Sequence, residues 1–210
     1  MKTHCIGIAL IIASLNLGAQ SQASPAKPRP FYPPGEPHGV GQLIVDVLPV
    51  PQSLKQLTDM SSLIIEGVVE KTIPSRRGAG QTWIETDSVI SIAQTLKGPA
   101  GDSSIVISQM GGKVGDSTDQ PTQYSLVQPG ERYILFLSPD DRNALPPVEG
   151  LKRYGVTAAW AGLLLVGTDG LIHTDPKYHD LFRKTYEGKS KTEMIDLSKD
   201  AINQKQTPSN

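Results

Sequence analysis

The chain has 210 residues, a formal net charge of −1 at pH 7 and a hydrophobic fraction of 38%, which is typical of one soluble domain with a modest core. Because no basic excess exists to displace counterions from phosphates, we expect no nucleic acid partner. The only cysteine, Cys5, lies in the N-terminal segment described next, so disulfides, thiolate metal sites and cysteine catalysis are excluded for the rest of the chain.

Residues 1–23, MKTHCIGIALIIASLNLGAQSQA, have the pattern of a secretory signal peptide. Lys2 precedes the apolar run 5–17, and Ser21 and Ala23 are the small residues of a cleavage site. The run is shorter than the roughly 20 residues that a membrane-spanning helix needs. We therefore predict cleavage after Ala23, export to the periplasm or the extracellular space, and no transmembrane segment in the mature chain.

The segment after the signal peptide predicts a stiff leader followed by the first ordered elements. Residues 24–41 are rich in proline and predict an extended, disordered leader. Residues 42–50 predict a short edge strand, and the barrel domain is predicted to cover residues 42–175. Ser53 is the predicted N-cap of a short helix before the barrel.

The centre of the chain alternates between apolar and polar residues with the period of β-strands. Residues 63–73 and 83–96 predict an antiparallel hairpin, in which each strand has one apolar face. Residues 104–110 and 133–137 predict two further strands, and a tight hairpin is predicted around Asp169-Gly170. The tail changes to helical spacing over residues 176–204, which predicts one or two helices before a disordered end at 205–210.

The stretch 111–130, GGKVGDSTDQPTQYSLVQPG, consists mostly of turn-forming residues and predicts a long loop. Long loops on a rigid scaffold are common places for binding surfaces. The residues predicted to form a binding loop are Gly111, Gly112, Lys113, Asp116, Asp119 and Tyr124.

Four carboxylates lie on the polar faces of the predicted hairpin: Glu66, Glu70, Glu85 and Asp87. Matching the apolar faces of the two strands brings these side chains opposite or diagonal to one another. Such a group of oxygens is suited to Ca²⁺. A solvated outer face, on which salt screens the repulsion, is the interpretation that we favour.

The stretch HTDPKYHD, residues 173–180, offers a possible metal site. His173, Asp175 and His179 are ligand types that zinc or another divalent ion prefers, and three such ligands leave a position for water. In the alternative interpretation, Asp175 starts a turn and His179 covers an apolar patch. We expect no other cofactor, and no G-x-S-x-G elbow is present to suggest a nucleophilic serine.

Three stretches carry a resemblance: SSLIIEGVVE, the strand end TLKG, and QPGERYILFLSPD. Together they resemble a group of exported bacterial proteins of unknown function, over roughly residues 53–174. The order of elements is also similar to the OB-type barrel of the netrin and metalloproteinase-inhibitor (NTR/TIMP-like) superfamily. The resemblance implies a mainly β fold, with a five- to six-stranded antiparallel OB-like barrel and a short helix before it. The spacing in the tail adds the prediction of one or two C-terminal helices.

The function that we expect is a non-enzymatic binding module for a protein or glycan outside the cytoplasm, because the strand framework carries no convincing catalytic set. One alternative is a metal-binding protein or metal-dependent hydrolase that uses His173, Asp175 and His179. The resemblance implies another alternative, an inhibitor of extracellular peptidases. Inhibitors of that superfamily act through an N-terminal cysteine and disulfides, and the chain after residue 23 contains no cysteine.

Overall fold

A computed structural model describes residues 41–43, 51–77, 83–121, 124–140, 148, 150–173 and 181–204. The predicted signal peptide, most of the leader and the predicted disordered end lie outside the described residues. In chain order the elements are β1 (Gly41–Leu43), α1 (Leu54–Met60), β2 (Leu63–Thr72), β3 (Arg76–Arg77), β4 (Ile84–Lys97), β5 (Ser104–Met110), β6 (Gly112–Val114), β7 (Ser117–Pro121), β8 (Arg132–Pro139), β9 (Arg153–Val156), β10 (Leu163–Val166), β11 (Ile172–His173), α2 (Leu181–Tyr186) and α3 (Lys191–Asn203).

Five strands close into a barrel in the order β8-β2-β4-β5-β9, and β9 pairs back onto β8. This confirms the predicted OB-like barrel, together with the short helix before it and the C-terminal helices. The pairing differs from the prediction at one place, because β5 and β9 run parallel. The sequence did not indicate β9, a four-residue strand in which Arg153 and Gly155 interrupt the apolar alternation.

The barrel interior is filled by the odd-numbered residues of β2, β5 and β8. For β2, this is the apolar face that the alternation predicted. Gly67 is one of them, and a Cβ there would lie 2.5 Å from Cγ2 of Ile90, so the small residue lets β2 approach β4 closely. The buried residues of the interior cluster are Leu63, Ile65, Val69, Ile90, Ile105, Ile107, Val127, Tyr133, Leu135, Leu137, Tyr154 and Leu163.

A second apolar layer lies between the outer face of the sheet and the helices. Ser53 and Ser190 cap α1 and α3, each accepting a hydrogen bond from the backbone N–H three residues later. The prediction of Ser53 as an N-cap is therefore confirmed. The buried residues of this outer layer are Leu54, Leu57, Ile64, Tyr124, Ile134, Phe136, Ala161, Leu164, Val166, Ile172, Met194, Ile195 and Ala201. Within the described ranges, no helix combines the length and the apolar character that crossing a membrane requires.

Two further sets of strands extend the barrel. β10 adds to β8, and β11 pairs with β10 across the predicted turn at Asp169-Gly170. A 3₁₀ helix, Ala159–Gly162, precedes β10. β3 lies between the two strands of the predicted hairpin and pairs with the start of β4.

The stretch 111–130 is not a continuous loop, so that prediction was wrong. β6 and β7 form a hairpin within it, and β1 adds to β7 in parallel. At Gly112, φ is +130°, and a Cβ would overlap the hydroxyls of Ser75 and Thr86. The glycine therefore allows the hairpin to lie directly against the strands of the barrel.

Candidate functional site

The carboxylates predicted on a solvated outer face are mostly buried, which corrects that interpretation. Glu66, Glu85 and Asp87 are 4%, 2% and 0% exposed, whereas Glu70 is exposed. The alternation assigned the correct face, but other parts of the chain cover that face. Nor does Glu66 come opposite the other two, because the β2–β4 register pairs it with Gln94.

Glu66 joins two strands to the C-terminal helix. Its Oε1 accepts hydrogen bonds from Arg132 Nη1 at 2.7 Å and from Lys191 Nζ at 3.0 Å. Burial acts to raise the pKa of this carboxyl, but the bonds from Arg132 and Lys191 outweigh it and lower the pKa below its ordinary value. The ionised carboxylate is therefore a structural link between β2, β8 and α3.

Asp87 is the centre of a second buried network, on β4. Arg76 Nη1 donates to its Oδ2 at 2.5 Å, and Arg153 Nη1 donates to its Oδ1 at 2.9 Å. Ser108 donates its hydroxyl proton to Oδ1 as well, and its Oγ accepts a hydrogen bond from Arg153 at 2.9 Å. Because guanidinium groups only donate and carboxylates only accept, the orientation of the Ser108 hydroxyl is fixed.

Strand pairing extends this network into a row of residues across four strands. Asp87 on β4 lies opposite Ser108 on β5, Ser108 lies opposite Gly155 on β9, and Gly155 lies opposite Ser138 on β8. A Cβ added at Gly155 would meet nothing within 4 Å. Three small residues side by side therefore leave space above the sheet.

That space is a cavity of about 390 Å³, with the three small residues in its lining. Its walls come from the ends of β5 and β8, from the segment after β9, and from Tyr124. Ala158 and Ala159, next to this wall, have φ values of 51° and 47°, a left-handed conformation that costs about 1–2 kcal/mol per residue outside glycine. The described lining residues are Ser108, Gln109, Met110, Tyr124, Ser138, Pro139, Asp140, Gly155, Val156 and Ala159.

Of the predicted binding-loop residues, the described lining includes only Tyr124. Its hydroxyl donates to the backbone oxygen of Met110 at 2.9 Å. Gly111 and Gly112 lie at the packing contact of the hairpin, where a Cβ on Gly111 would be 2.7 Å from Pro121. Asp119 Oδ2 accepts from the backbone N–H of Ile84 at 2.6 Å. The remaining two, Lys113 and Asp116, are exposed on the hairpin, so the six residues do not form one surface.

The structure describes only part of the predicted metal site. His173 is partly exposed, and its Nε2 lies 3.0 Å from Asp169 Oδ2, while its Nδ1 lies 3.6 Å from Glu187 Oε1. The hydrogen bond with Asp169 raises the pKa of His173. Asp175 and His179 lie outside the described residues, and the described part of the chain has no group of three or more possible metal ligands. The metal site stays a prediction.

Two charged residues of the stretches that carry the resemblance, Lys97 and Glu131, serve the fold. Lys97 Nζ donates to the backbone oxygens of Thr58 and Ser61, both at 2.7 Å, and so caps the C-terminal end of α1. Glu131 Oε2 accepts from Gln128 N and from the Tyr133 hydroxyl, both at 2.6 Å. These motif residues therefore build the barrel, while Ser138, Pro139 and Asp140, at the end of QPGERYILFLSPD, also line the cavity.

The cavity residues Ser108, Ser138 and Gly155, and the neighbouring Arg153, were missed as a group. Their proximity depends on the parallel β5–β9 pairing, which joins segments about 45 positions apart in the chain. One local signal existed: a glycine inside a short strand, such as Gly155, often marks a place where a ligand or another backbone approaches closely.

Comparison with known proteins adds no family to this description. No protein-family model matches the chain, and no curated protein sequence matches it.

Proposed function

We propose that this chain is an exported, non-enzymatic binding module and that its ligand site is the cavity over the ends of β5, β8 and β9. The observation that carries the proposal is the row Ser108–Gly155–Ser138, which leaves a concave space of about 390 Å³ in an otherwise tightly paired barrel. Preformed concave sites with a few fixed polar groups are the usual form of ligand pockets.

The state of the Ser108 hydroxyl favours binding over nucleophilic catalysis. The hydroxyl donates a hydrogen bond to Asp87, and its oxygen accepts one from Arg153. A buried charged network therefore holds the group in one orientation. A group locked in this way is a preorganised recognition element. The strained Ala158-Ala159 backbone is consistent with a wall that is kept in place for a ligand.

The test is a pair of matched leucine substitutions. In Gly155→Leu the new side chain enters the cavity, while in Ala93→Leu the same side chain is added at an exposed position of β4. The purified variants are applied to arrays of peptides and glycans. We expect ligands that bind the unmodified chain and Ala93→Leu but lose at least tenfold in affinity for Gly155→Leu. Retention of every ligand by a folded Gly155→Leu variant would exclude the cavity as the site.

Export is tested separately, on chain recovered from outside the cytoplasm of an expressing bacterium. We expect the measured mass of the exported chain to equal that of a polypeptide that begins at Ser24, after the small residues Ser21 and Ala23. An intact N-terminus on chain retained in the cytoplasm would contradict export, and it would leave the cavity test unaffected.

A further inference from the structure

We propose that the segment 157–162 is a two-state switch in the wall of the cavity. Its turn at Ala158-Ala159 is left-handed in the structure and right-handed in a minor state. The inference rests on the proposed function, because it names the part of that same site whose shape changes. It follows from the path of the segment, from the backbone at the two alanines and from a buried hydroxyl beside them.

The segment leaves β8 and returns to it at a single residue. β9 ends its pairing with β8 opposite Leu137, and β10 begins its pairing opposite Leu135. The six residues 157–162 between these two pairings therefore lie opposite Phe136 alone, as a large bulge along β8. Bulges are over-represented next to functional sites, where they redirect the chain.

The two ends of this bulge are held close together. Thr157 N donates to the backbone oxygen of Phe136 at 2.9 Å. A Cβ on Gly162 would lie 2.6 Å from the same oxygen and 2.7 Å from the backbone oxygen of Thr157. Both ends of the segment are therefore fixed, and a change of shape is confined to the residues between them.

Between the fixed ends, the backbone has the hand that alanine disfavours. The φ angle is 51° at Ala158 and 47° at Ala159. Glycine and asparagine are the usual residues of turns with positive φ, whereas the mirror-image turn with negative φ suits alanine. The local preference of the sequence is therefore a right-handed turn, and the contacts of the folded chain oppose it.

A buried hydroxyl adds a second unfavourable feature to the same segment. Thr157 is 4% exposed, and its Oγ1 has no hydrogen-bond partner among the described residues. A buried polar group without a partner destabilises the conformation that contains it. Since two features oppose the observed conformation, a second conformation that relieves them lies close to it in free energy.

The contacts of the two alanines connect the turn to the cavity and to the helices. Ala159 lines the cavity, and Ala158 and Ala159 are both partly buried against the outer layer. Reversal of the turn moves both methyl groups and so gives the cavity two wall shapes. A ligand that contacts Ala159 favours the shape that it fits better. The switch therefore transmits occupancy of the cavity to the outer layer.

The experiment measures relaxation dispersion of backbone amides in the free chain. This method detects minor states with populations of about 0.1–10% that exchange in microseconds to milliseconds. We expect dispersion at residues 157–162 and at Phe136. Dispersion that is absent from these amides would overturn the inference and leave the binding site standing.

A double variant, Ala158→Gly with Ala159→Gly, removes the preference for the right-handed turn, because glycine adopts either hand about equally. We expect its minor-state population to fall at least about tenfold and its urea midpoint to rise. Ala100→Gly is the matched control, at an exposed alanine outside the helices and strands whose φ is not positive. It should leave the dispersion unchanged and should not raise the midpoint. Equal dispersion in the double variant and the unmodified chain would contradict the switch.

Ala158→Pro supplies the opposite limit, because proline fixes φ near about −65° and so forces the right-handed form at the first position of the turn. We expect the amide chemical shifts of its segment to match those of the minor state in the unmodified chain. Shifts that differ from the minor state would contradict a change of hand. If this variant does not fold, the glycine double variant still decides the result.

Coupling to the cavity is tested with the two leucine variants of the binding experiment. Gly155→Leu places a side chain in the cavity that Ala159 also lines, so it should change the minor-state population at least about threefold. Ala93→Leu should leave that population unchanged. Equal populations in the two variants would overturn the inference, since the turn would not respond to the cavity. None of these measurements needs a ligand, so their failure is distinguishable from failure of the binding site in the arrays.

Discussion

At Gly98, the turn after β4 needs both a left-handed backbone and an absent side chain. Its φ is +100°, and a Cβ would lie 2.7 Å from the backbone oxygen of Ser62. We expect Gly98→Ala to lower the free energy of unfolding by about 3 kcal/mol, from backbone strain of about 1–3 kcal/mol and the added clash. Gly101→Ala is the matched control, because φ is +126° there and a Cβ meets nothing within 4 Å. If urea unfolding showed the same loss of unfolding free energy for Gly98→Ala and Gly101→Ala, the clash with Ser62 would be unimportant.

Lys97 provides a second test at the residue scale. Lys97→Met removes the ammonium that caps α1 at Thr58 and Ser61 but keeps the apolar stem. We expect a loss of about 1.5–3 kcal/mol in the free energy of unfolding, the cost of hydrogen bonds to a charged group. Lys152→Met, which breaks only the exposed pair with Asp102, should cost less than about 1 kcal/mol. A similar loss in both variants would contradict the capping role.

Single residues also show where inference from the sequence stops. Alternation placed Glu66, Glu85 and Asp87 on the outer face of their strands, and that placement was right. What covers an outer face depends on contacts with distant segments, such as Arg132 and Arg153, and a local period carries no information about them. For this reason we expected these three carboxylates to lie in solvent, whereas they are buried in the structure.

At the scale of elements, Glu66 links stability to pH. Its pKa is lower in the folded chain than the ordinary value of 4.5, so the folded state holds the proton less tightly than the unfolded state. The stabilisation is therefore complete above about pH 4.5 and is lost as the pH falls through the lower folded pKa. We expect Glu66→Gln to cost about 1–3 kcal/mol near pH 7, and this cost should shrink steadily below pH 4.5.

The control for this prediction is Glu193→Gln on α3, where the exposed glutamate forms an ion pair with Lys189. Urea unfolding at several pH values, measured for both variants, checks the prediction. A cost for Glu66→Gln that does not change between pH 7 and pH 3 would refute the link.

Elements were predictable where the apolar period was long. The helix α1, the strands β2, β4, β5 and β8, and the hairpin at Asp169-Gly170 all follow from local patterns. β9 and the β6–β7 hairpin do not, because they are short and contain Arg, Gly, Asp and Lys. Pairing with neighbouring strands stabilises them against their weak local propensity.

At the scale of the whole molecule, the interior of the barrel and the outer layer share the same strands. Met194 and Ile107 are both fully buried, one in each layer. We expect Met194→Ala and Ile107→Ala each to cost about 2–5 kcal/mol and to shift one common transition, seen at the same urea concentration by circular dichroism and fluorescence. Asp196→Ala, at an exposed position of α3, should leave the midpoint nearly unchanged. Separate transitions for the two probes would contradict a single cooperative unit.

The closed barrel was predicted from the resemblance that the order of elements carries, because strands with one apolar face are also compatible with a sandwich. The cavity was not predictable in the same way. It depends on one parallel pairing and on three small residues that meet only when β5, β9 and β8 lie side by side.

The roles of Lys97, Glu131 and Arg132 have a consequence for how kinship is interpreted in proteins of this type. These side chains cap a helix, hold a turn and form an ion pair between strands. Two chains that share them therefore share the barrel framework and nothing more. Differences in ligand preference are to be sought at cavity positions such as Gly155, Val156 and Ala159, which lie outside the three stretches that carry the resemblance.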